Sequence, residues 1–97
     1  MRFRWKDEAL DEYQKAAQFY GFRELGLDAR FIECIESAIE SVCESPKRSP
    51  FLEDDFRRRV VDVFPYSIIY LEDDAGVVIV AIMHDSREPG YWKRRLR

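Results

Sequence analysis

The sequence predicts a single α+β domain over residues 1–97, in which a short N-terminal strand and an antiparallel helical hairpin pack on one face of an antiparallel sheet. A three-stranded C-terminal meander completes the sheet, so the expected order is β-α-α-β-β-β. Three observations predict this class: two segments of helical periodicity, three strand-like runs after them, and short joints between the runs. A chain of 97 residues suffices for one modest core and not for two domains.

A short strand and a first amphipathic helix are predicted at the N-terminus. Phe3 and Trp5 alternate with basic residues, a pattern typical of a half-buried strand at a sheet edge. Asp7 is a favourable N-cap, and Gly21 is a favourable C-terminal stop. Between them, apolar residues recur at helical spacing: Ala9, Tyr13, Ala16 and Tyr20. The small residues on this stripe suit the close approach of a second helix.

The second helix of the hairpin is predicted from a cap at Asp28 to Ser45. Leu27 and Ile32 are placed to form a hydrophobic staple around the cap. Pro46 ends the helix, because proline disfavours helical geometry at the residue before it. The buried face is broad and comprises Phe31, Ile35, Ala38 and Val42, with Ile32 and Ile39 beside them. The outer face is acidic and comprises Glu33, Glu36, Glu40 and Glu44.

Three consecutive strand-like runs form the predicted meander. A corner at Pro65 joins residues 57–64 to residues 66–71, and a polar, Gly-containing segment at residues 72–76 leads into residues 77–83. The last run has no polar alternation, so both of its faces should be covered and we expect it to be the central strand.

The connection between the hairpin and the meander is predicted to be an ordered loop. Residues 46–56 contain two prolines and an acidic cluster, and either Phe51 or Leu52 is expected to anchor them. Because the hairpin covers one face of the sheet only, the other face is expected to remain partly open. An exposed sheet face of this kind usually marks a binding surface.

Composition excludes several classes of protein. The chain is 46% hydrophobic, which is enough to bury a core, but no apolar run approaches the roughly 20 residues that span a bilayer. The N-terminus lacks the apolar segment of a signal peptide, so a cytoplasmic location is expected. Cys34 and Cys43 are too far apart along one predicted helix for a disulfide and are expected to be reduced thiols. With one His and no Cys-x-x-Cys motif, we expect no metal or other cofactor.

Charge is unevenly distributed along the chain. The net charge of -3 argues against bulk attraction to nucleic acid. Basic residues nevertheless cluster in the meander and in the C-terminal tail, at Arg57, Arg58, Arg59, Lys93, Arg94, Arg95 and Arg97. One interpretation is a local positive patch beside His84 and Tyr91. The alternative is that these are solvated charges of an edge strand and a tail.

The candidate functional residues gather where the third run of the meander ends. His84 titrates near neutral pH and could transfer a proton, although a lone His at a strand end is more often a surface residue. Arg87, with one of the arginines at 57–59, could hold a phosphate or a carboxylate. Tyr91 and Trp92 could stack on bases or plug the open end of the core. Taken alone, these residues predict a small binding domain with a basic, aromatic rim.

A succession of short motifs runs through nearly the whole chain. The most specific are the Phe-Pro-Tyr corner at residues 64–66 and the His-x-x-Arg-x-Pro-x-Tyr-Trp pattern at residues 84–92. The others are a helix start centred on Leu27, Ala38-Ile39, Pro46, Arg57-Arg58 and Ile79-Val80-Ala81. In combination, from Trp5 to Arg95, they closely resemble the RelE/ParE superfamily of bacterial type II toxins. The resemblance implies the fold predicted above and a toxin that a cognate antitoxin neutralises in a hetero-oligomeric complex.

Two activities compete within this superfamily. RelE-like members are ribosome-dependent mRNA endoribonucleases that use basic residues on the sheet, an Arg after the Tyr that starts the middle strand of the meander, and C-terminal acid-base groups. ParE-like members share the fold, lack that set and poison DNA gyrase. Here Arg58 matches one basic position, but Val60 replaces the second, and Ser67 replaces the Arg after Tyr66. The resemblance therefore favours the ParE-like activity.

The residue assignments depend on which activity applies. A nuclease would use as catalytic residues His84, Arg87, Tyr91 and Arg58. A ParE-like toxin would bind its target or its antitoxin through Arg57, Arg58, Arg59, Tyr66, Arg87, Tyr91 and Trp92. A third reading is a relic of the family that binds an antitoxin and has lost toxicity.

The antitoxin segment is expected to fold on the toxin in two parts. We expect a helix in the groove of the hairpin, between the sides that carry Tyr13/Ala17 and Phe31/Ile35, followed by an added strand. We also expect Arg58 to contribute more to this complex than Arg57, since it lies further inside its strand.

Overall fold

The computed structural model of the protein describes residues 2–96, so Met1 and Arg97, the last residue of the predicted basic tail, lie outside the described residues. The elements are β1 (Phe3–Trp5), α1 (Asp7–Arg23), α2 (Leu27–Glu44), β2 (Phe51–Glu53), β3 (Phe56–Val60), β4 (Tyr66–Asp73), β5 (Gly76–His84) and a C-terminal 3₁₀ helix (Tyr91–Leu96). The predicted α+β class, with a helical hairpin on a sheet, is confirmed. Across residues 2–96, neither α-helix combines the length and the apolar character that crossing a membrane requires.

The five strands form one sheet in the order β1-β5-β4-β3-β2. Strands β3, β4 and β5 are antiparallel neighbours, as the meander predicts, and β2, which was not predicted, pairs antiparallel with β3. In contrast, β1 pairs parallel with β5, from Phe3 opposite Val77 to Trp5 opposite Ile79. The sheet is therefore mixed and not wholly antiparallel, because a three-residue alternation carries no signal for strand direction. The fully apolar strand β5 is interior, as expected, but β4 is the middle strand of the five.

The ends of the first helix differ from the prediction. Asp7 is the first helical residue and not the cap, which is Lys6 without a side-chain hydrogen bond. Gly21 lies inside α1, and the helix continues to Arg23. A glycine in a helix is tolerated at a modest energetic cost, so the sequence signal for a stop did not prevail over the remaining helical hydrogen bonds.

The start of the second helix also differs. The N-cap is Gly26, with a φ of 86° that favours glycine, and α2 begins at Leu27. Asp28 consequently lies in the first turn, where its Oδ1 accepts a hydrogen bond from the Ala29 N–H at 2.9 Å. Ile32, predicted to be buried beside the apolar stripe, is exposed, whereas Ile39 is buried as expected. The helix ends at Glu44, before Pro46, as predicted.

The segment predicted to be a loop contains the short strand β2. Phe51 pairs with Arg57 and Glu53 pairs with Phe56. Neither Phe51 nor Leu52 anchors the segment, because both are exposed. The Phe51 ring instead lies beneath the Arg57 guanidinium, with 3.8 Å between the guanidinium carbon and the ring centroid. The buried anchor is Phe56, at the start of β3.

A tight hairpin joins β4 to β5, as predicted. Asp73 and Gly76 are paired, and the Asp73 Oδ1 accepts hydrogen bonds from the N–H groups of Ala75 and Gly76 at 2.9 and 3.1 Å. Gly76 has a φ of 133°, and a Cβ there would collide with the carbonyl oxygen of Arg2. Glycine is therefore required where β1 lies against the turn.

Both faces of the sheet are covered. The helix-side core includes Ala9, Ala16, Phe31, Ile35, Ile39, Val42, Phe64, Ile68, Tyr70, Val77 and Ile79. The second core, on the opposite face, comprises Phe56, Ile69, Val78, Val80, Ala81, Met83 and Trp92. The expectation of a partly open second face is wrong, because the 3₁₀ helix folds back and buries Trp92 against it. Both cysteines are free thiols, as predicted.

Candidate functional site

A cleft of about 280 Å³ lies between α1 and the end of β5. Its lining brings together four of the predicted site residues, Tyr66, His84, Arg87 and Tyr91, with Glu12, Lys15 and Phe19 from α1. The backbone of the 64–66 corner positions the strand end, because the Pro65 carbonyl accepts a hydrogen bond from the Asp85 N–H at 2.8 Å. Arg58 is absent from this cleft. The predicted site residues therefore do not all lie in one place.

The Glu12 carboxylate is the centre of the cleft. It accepts hydrogen bonds from the Tyr91 hydroxyl at 2.8 Å, from both Arg95 Nη atoms at 2.7 and 3.0 Å, and from the Ile82 N–H at 3.1 Å. Arg95 also donates to the Val80 carbonyl at 2.9 Å. Because β1 pairs with β5 only as far as Ile79, these two side chains satisfy backbone groups of β5 that no strand within residues 2–96 reaches.

Two guanidinium groups lie against the ring of Tyr91. The Arg87 and Arg95 guanidinium carbons lie 3.9 and 5.0 Å from the centroid of its ring. Burial, and then the hydrogen bond to Glu12, raise the pKa of Tyr91 well above its usual range. The phenol therefore stays protonated near neutral pH, with its proton directed at Glu12, and it is not available as a base.

His84 is held by its own turn and by an aromatic neighbour. Its Nδ1 accepts a hydrogen bond from the Ser86 N–H at 3.0 Å, so the neutral ring carries its proton on Nε2. The ring lies edge to face against Tyr66, at 5.1 Å between centroids. Burial raises the pKa of Tyr66. His84 thus presents a donor and not a free base in its neutral form.

Arg58 belongs to a separate network on the second face of the sheet. Its Nε donates to the Ser67 Oγ at 2.9 Å, and its Nη2 lies 3.2 Å from the Asp85 Oδ1. Ser67, fully buried, in turn donates to the same Asp85 oxygen at 2.8 Å. The residue that replaces the expected Arg therefore helps Asp85 to neutralise Arg58.

The other predicted contact residues lie elsewhere. Arg57 donates to the carbonyls of Lys47 and Ser49 at 3.1 and 2.7 Å, besides stacking on Phe51. Trp92 has no exposed surface, so it plugs the core and cannot stack on a partner in this conformation. Its Nε1 has no hydrogen-bond partner among residues 2–96.

The hairpin does not offer the groove expected for an antitoxin helix. Phe31 and Ile35 are fully buried, and Phe31 packs against Tyr20, Phe64 and Tyr66 at ring centroid distances of 5.1 to 5.2 Å. The apolar stripe of α2 therefore faces the sheet. The open grooves of this region lie between α2 and β3 instead.

Sequence reasoning missed Glu12, Lys15, Phe19 and Asp85. One signal was present: Ala9, Glu12 and Ala16 share one helical stripe, and the two alanines are buried. A carboxylate between two buried positions indicates a charged partner from another element. The identity of that partner, Arg95, depends on the return of the 3₁₀ helix and was not available from local patterns.

The described order of a short strand, a helical hairpin and an antiparallel meander is the fold that the resemblance to type II toxins implied. The family model described as ParE toxin of type II toxin-antitoxin system, parDE, matches residues 3–89. The chain belongs to this family, and the resemblance read from the sequence is confirmed.

One solved structure supports the fold independently. A chain of the chromosomal ParDE TA system from P. aeruginosa superposes with a TM-score of 0.64 at 14% sequence identity, over 87% of this chain and 95% of that one. At this identity the likeness is one of fold. No curated protein sequence matches the chain.

Proposed function

We propose that the protein arrests bacterial growth when free by inhibiting DNA gyrase, and that a cognate antitoxin neutralises it in a cytoplasmic complex. Membership of the ParE toxin family supports the toxin role. The observation that carries the non-catalytic mechanism is the Tyr91 to Glu12 hydrogen bond of 2.8 Å, which removes the C-terminal phenol from acid-base use.

RNA cleavage through the 2′-hydroxyl needs a base, an acid and a cation beside the developing charge. Tyr91 is bound to Glu12, and Arg58 is paired with Asp85 on another face. His84 and Arg87 remain in the cleft, where the Glu12 carboxylate already accepts hydrogen bonds from Tyr91 and Arg95. These contacts favour binding over catalysis.

The cleft is suited to a protein target. Its volume of about 280 Å³ lies just below the usual range of roughly 300–1,000 Å³ for small-molecule sites. Its rim carries the exposed cations Lys15 and Arg87 and the exposed ring of Phe19. Exposed aromatic and arginine side chains are typical anchors of protein interfaces. We therefore assign target binding to this rim.

Induced expression without an antitoxin tests the toxin role, and a supercoiling assay with purified gyrase tests the target. Growth arrest and loss of supercoiling are expected. Arg87→Ala should weaken gyrase inhibition because it removes the exposed cation over Tyr91, whereas Arg30→Ala, an exposed arginine on α2, should not.

Each alternative has a distinct outcome in the same cells. Primer extension that finds new 5′ ends within translated codons soon after induction would establish the RelE-like nuclease and make His84, Arg87 and Tyr91 catalytic. Normal growth with folded protein present would identify an inactive relic of the family.

A further inference from the structure

The three consecutive arginines of β3 have different surroundings. Arg57 is bound to two carbonyls and to the Phe51 ring, and Arg58 is bound to Ser67 and Asp85. The side chain of Arg59 forms no hydrogen bond or ion pair with any residue from 2 to 96, and its Nε is buried. A buried charged donor without an acceptor is destabilising and calls for a partner from outside the chain.

Arg59 lies between two grooves that separate α2 from β3. The larger, of about 380 Å³, runs beside Ser41, Ser45 and Pro50, and the smaller, of about 160 Å³, beside Cys34 and Ser37. Two carboxylates, Glu33 and Asp62, line the smaller groove, yet neither comes within 4.0 Å of the Arg59 nitrogens. The guanidinium is thus accessible from a channel that the described residues leave unfilled.

The edge of β3 is free beside the same groove. The Arg58 N–H donates outward to the Pro50 carbonyl at 3.1 Å, and the Val61 N–H donates inward to Tyr66 at 3.0 Å. Because these directions alternate along a strand, the N–H and carbonyl of Val60 point outward. The pairing with β2 stops at Arg57, so among residues 2–96 no strand covers Val60, whose side chain is also exposed.

We propose that Arg59 receives one carboxylate side chain of an antitoxin segment that adds to the sheet as a strand beside Val60. This rests on the proposed function, in which an antitoxin binds the free toxin. Backbone pairing at Val60 supplies the strand contacts, and a bidentate carboxylate supplies the acceptors that Arg59 lacks.

The charge around Arg59 favours a partner with one acidic residue over a polyanion. The larger groove also carries Arg48 and Arg58, of which Arg58 is already paired with Asp85, and the smaller groove carries the carboxylates of Glu33 and Asp62. A polyanion, whether an acidic tract or a nucleic acid backbone, would be repelled where it entered the smaller groove. One carboxylate inserted at Arg59 avoids that repulsion.

A displayed library of random twelve-residue peptides, selected against the immobilised full chain, tests the proposal. Peptides enriched on the wild type should share one Asp or Glu among β-branched or apolar residues. Selection against Arg59→Met should lose the acidic preference, and the best peptide should bind this variant roughly 10- to 100-fold more weakly by calorimetry. Arg30→Met, the same change at an exposed site on α2, should retain the acidic preference of the selected peptides and the affinity for the best peptide.

Two NMR readouts locate the binding. The best peptide should shift the Arg59 Nε–H resonance and slow hydrogen exchange at the Val60 amide. The proposal is overturned if no peptide is enriched, if the acidic preference survives in Arg59→Met, if the Val60 amide is unaffected, or if an oligonucleotide competes for the groove. Growth arrest by the wild type is measured separately, so failure of the proposed function is seen independently of this result.

Discussion

The Glu12 carboxylate is expected to be the largest single polar contributor to stability. Its side chain is 17% exposed and that of Arg95 is 13% exposed, so the pair is mostly shielded from water. Glu12→Gln keeps the shape but removes the charge, and it directs an amide N–H₂ at groups that are themselves donors. Hydrogen bonds to charged groups contribute about 1.5–3 kcal/mol each, and leaving Arg95 without its carboxylate adds a desolvation cost. We expect a loss of about 2–3 kcal/mol, which lowers the melting temperature of a domain this small by roughly 10–20 °C.

Urea denaturation followed by circular dichroism measures this loss. Asp11→Asn is the matched control on the same helix, because it removes only the exposed pair with Lys15 at 2.8 Å and should cost no more than about 0.5 kcal/mol. Arg95→Met added to Glu12→Gln should recover part of the loss, since no charge is then left unpaired and the amide oxygen of the glutamine can still accept a hydrogen bond from the Ile82 N–H. A loss below about 0.5 kcal/mol for Glu12→Gln would refute the reasoning, because that is the range of an exposed pair.

Three further predictions concern stability. Trp92→Ala should cost about 3–5 kcal/mol in urea denaturation, because it empties the centre of the second core. Val63→Gly should stabilise the protein by about 1 kcal/mol in the same assay, since Val63 is exposed at a φ of 73° that a β-branched residue adopts only with strain. Burial and the Glu12 hydrogen bond raise the pKa of Tyr91 above its model-compound value of 10.0. The stabilisation of the folded state that follows from this raised pKa is complete below pH 10.0 and is lost as the pH rises through the raised pKa. The melting temperature of Tyr91→Phe should therefore fall less steeply in alkaline solution than that of the wild type.

The elements with strong periodicity were predictable from the sequence. The buried stripe of α2 and the uninterrupted apolar run of β5 are determined by local spacing, and the structure contains both. Strand direction and caps depend on weaker signals. Phe3 to Trp5 is too short to indicate a parallel partner, and Asp28 resembles a cap although Gly26 takes that position with a left-handed φ.

The site was predictable in composition and not in arrangement. The pattern at residues 84–92 identified His84, Arg87 and Tyr91, which do meet in one cleft. Their partner Glu12 is 79 positions from Tyr91 in sequence, so no local pattern could link the two. The sequence allowed Trp92 either a surface position or a core position. Trp92 is buried in the core because the 3₁₀ helix folds back onto the sheet, which local sequence patterns do not predict.

The edge strands β1 and β2 are each three residues long. Short edges resist indiscriminate pairing with other extended chains. A partner that extends this sheet therefore gains few backbone hydrogen bonds, and most of its affinity has to come from side chains. If several toxins of this kind share one cell, an antitoxin strand that fits one backbone edge would fit the others nearly as well. Fidelity would then depend on single side-chain pairs, such as a carboxylate at Arg59, and one substitution there would suffice to insulate one toxin-antitoxin pair from its neighbours.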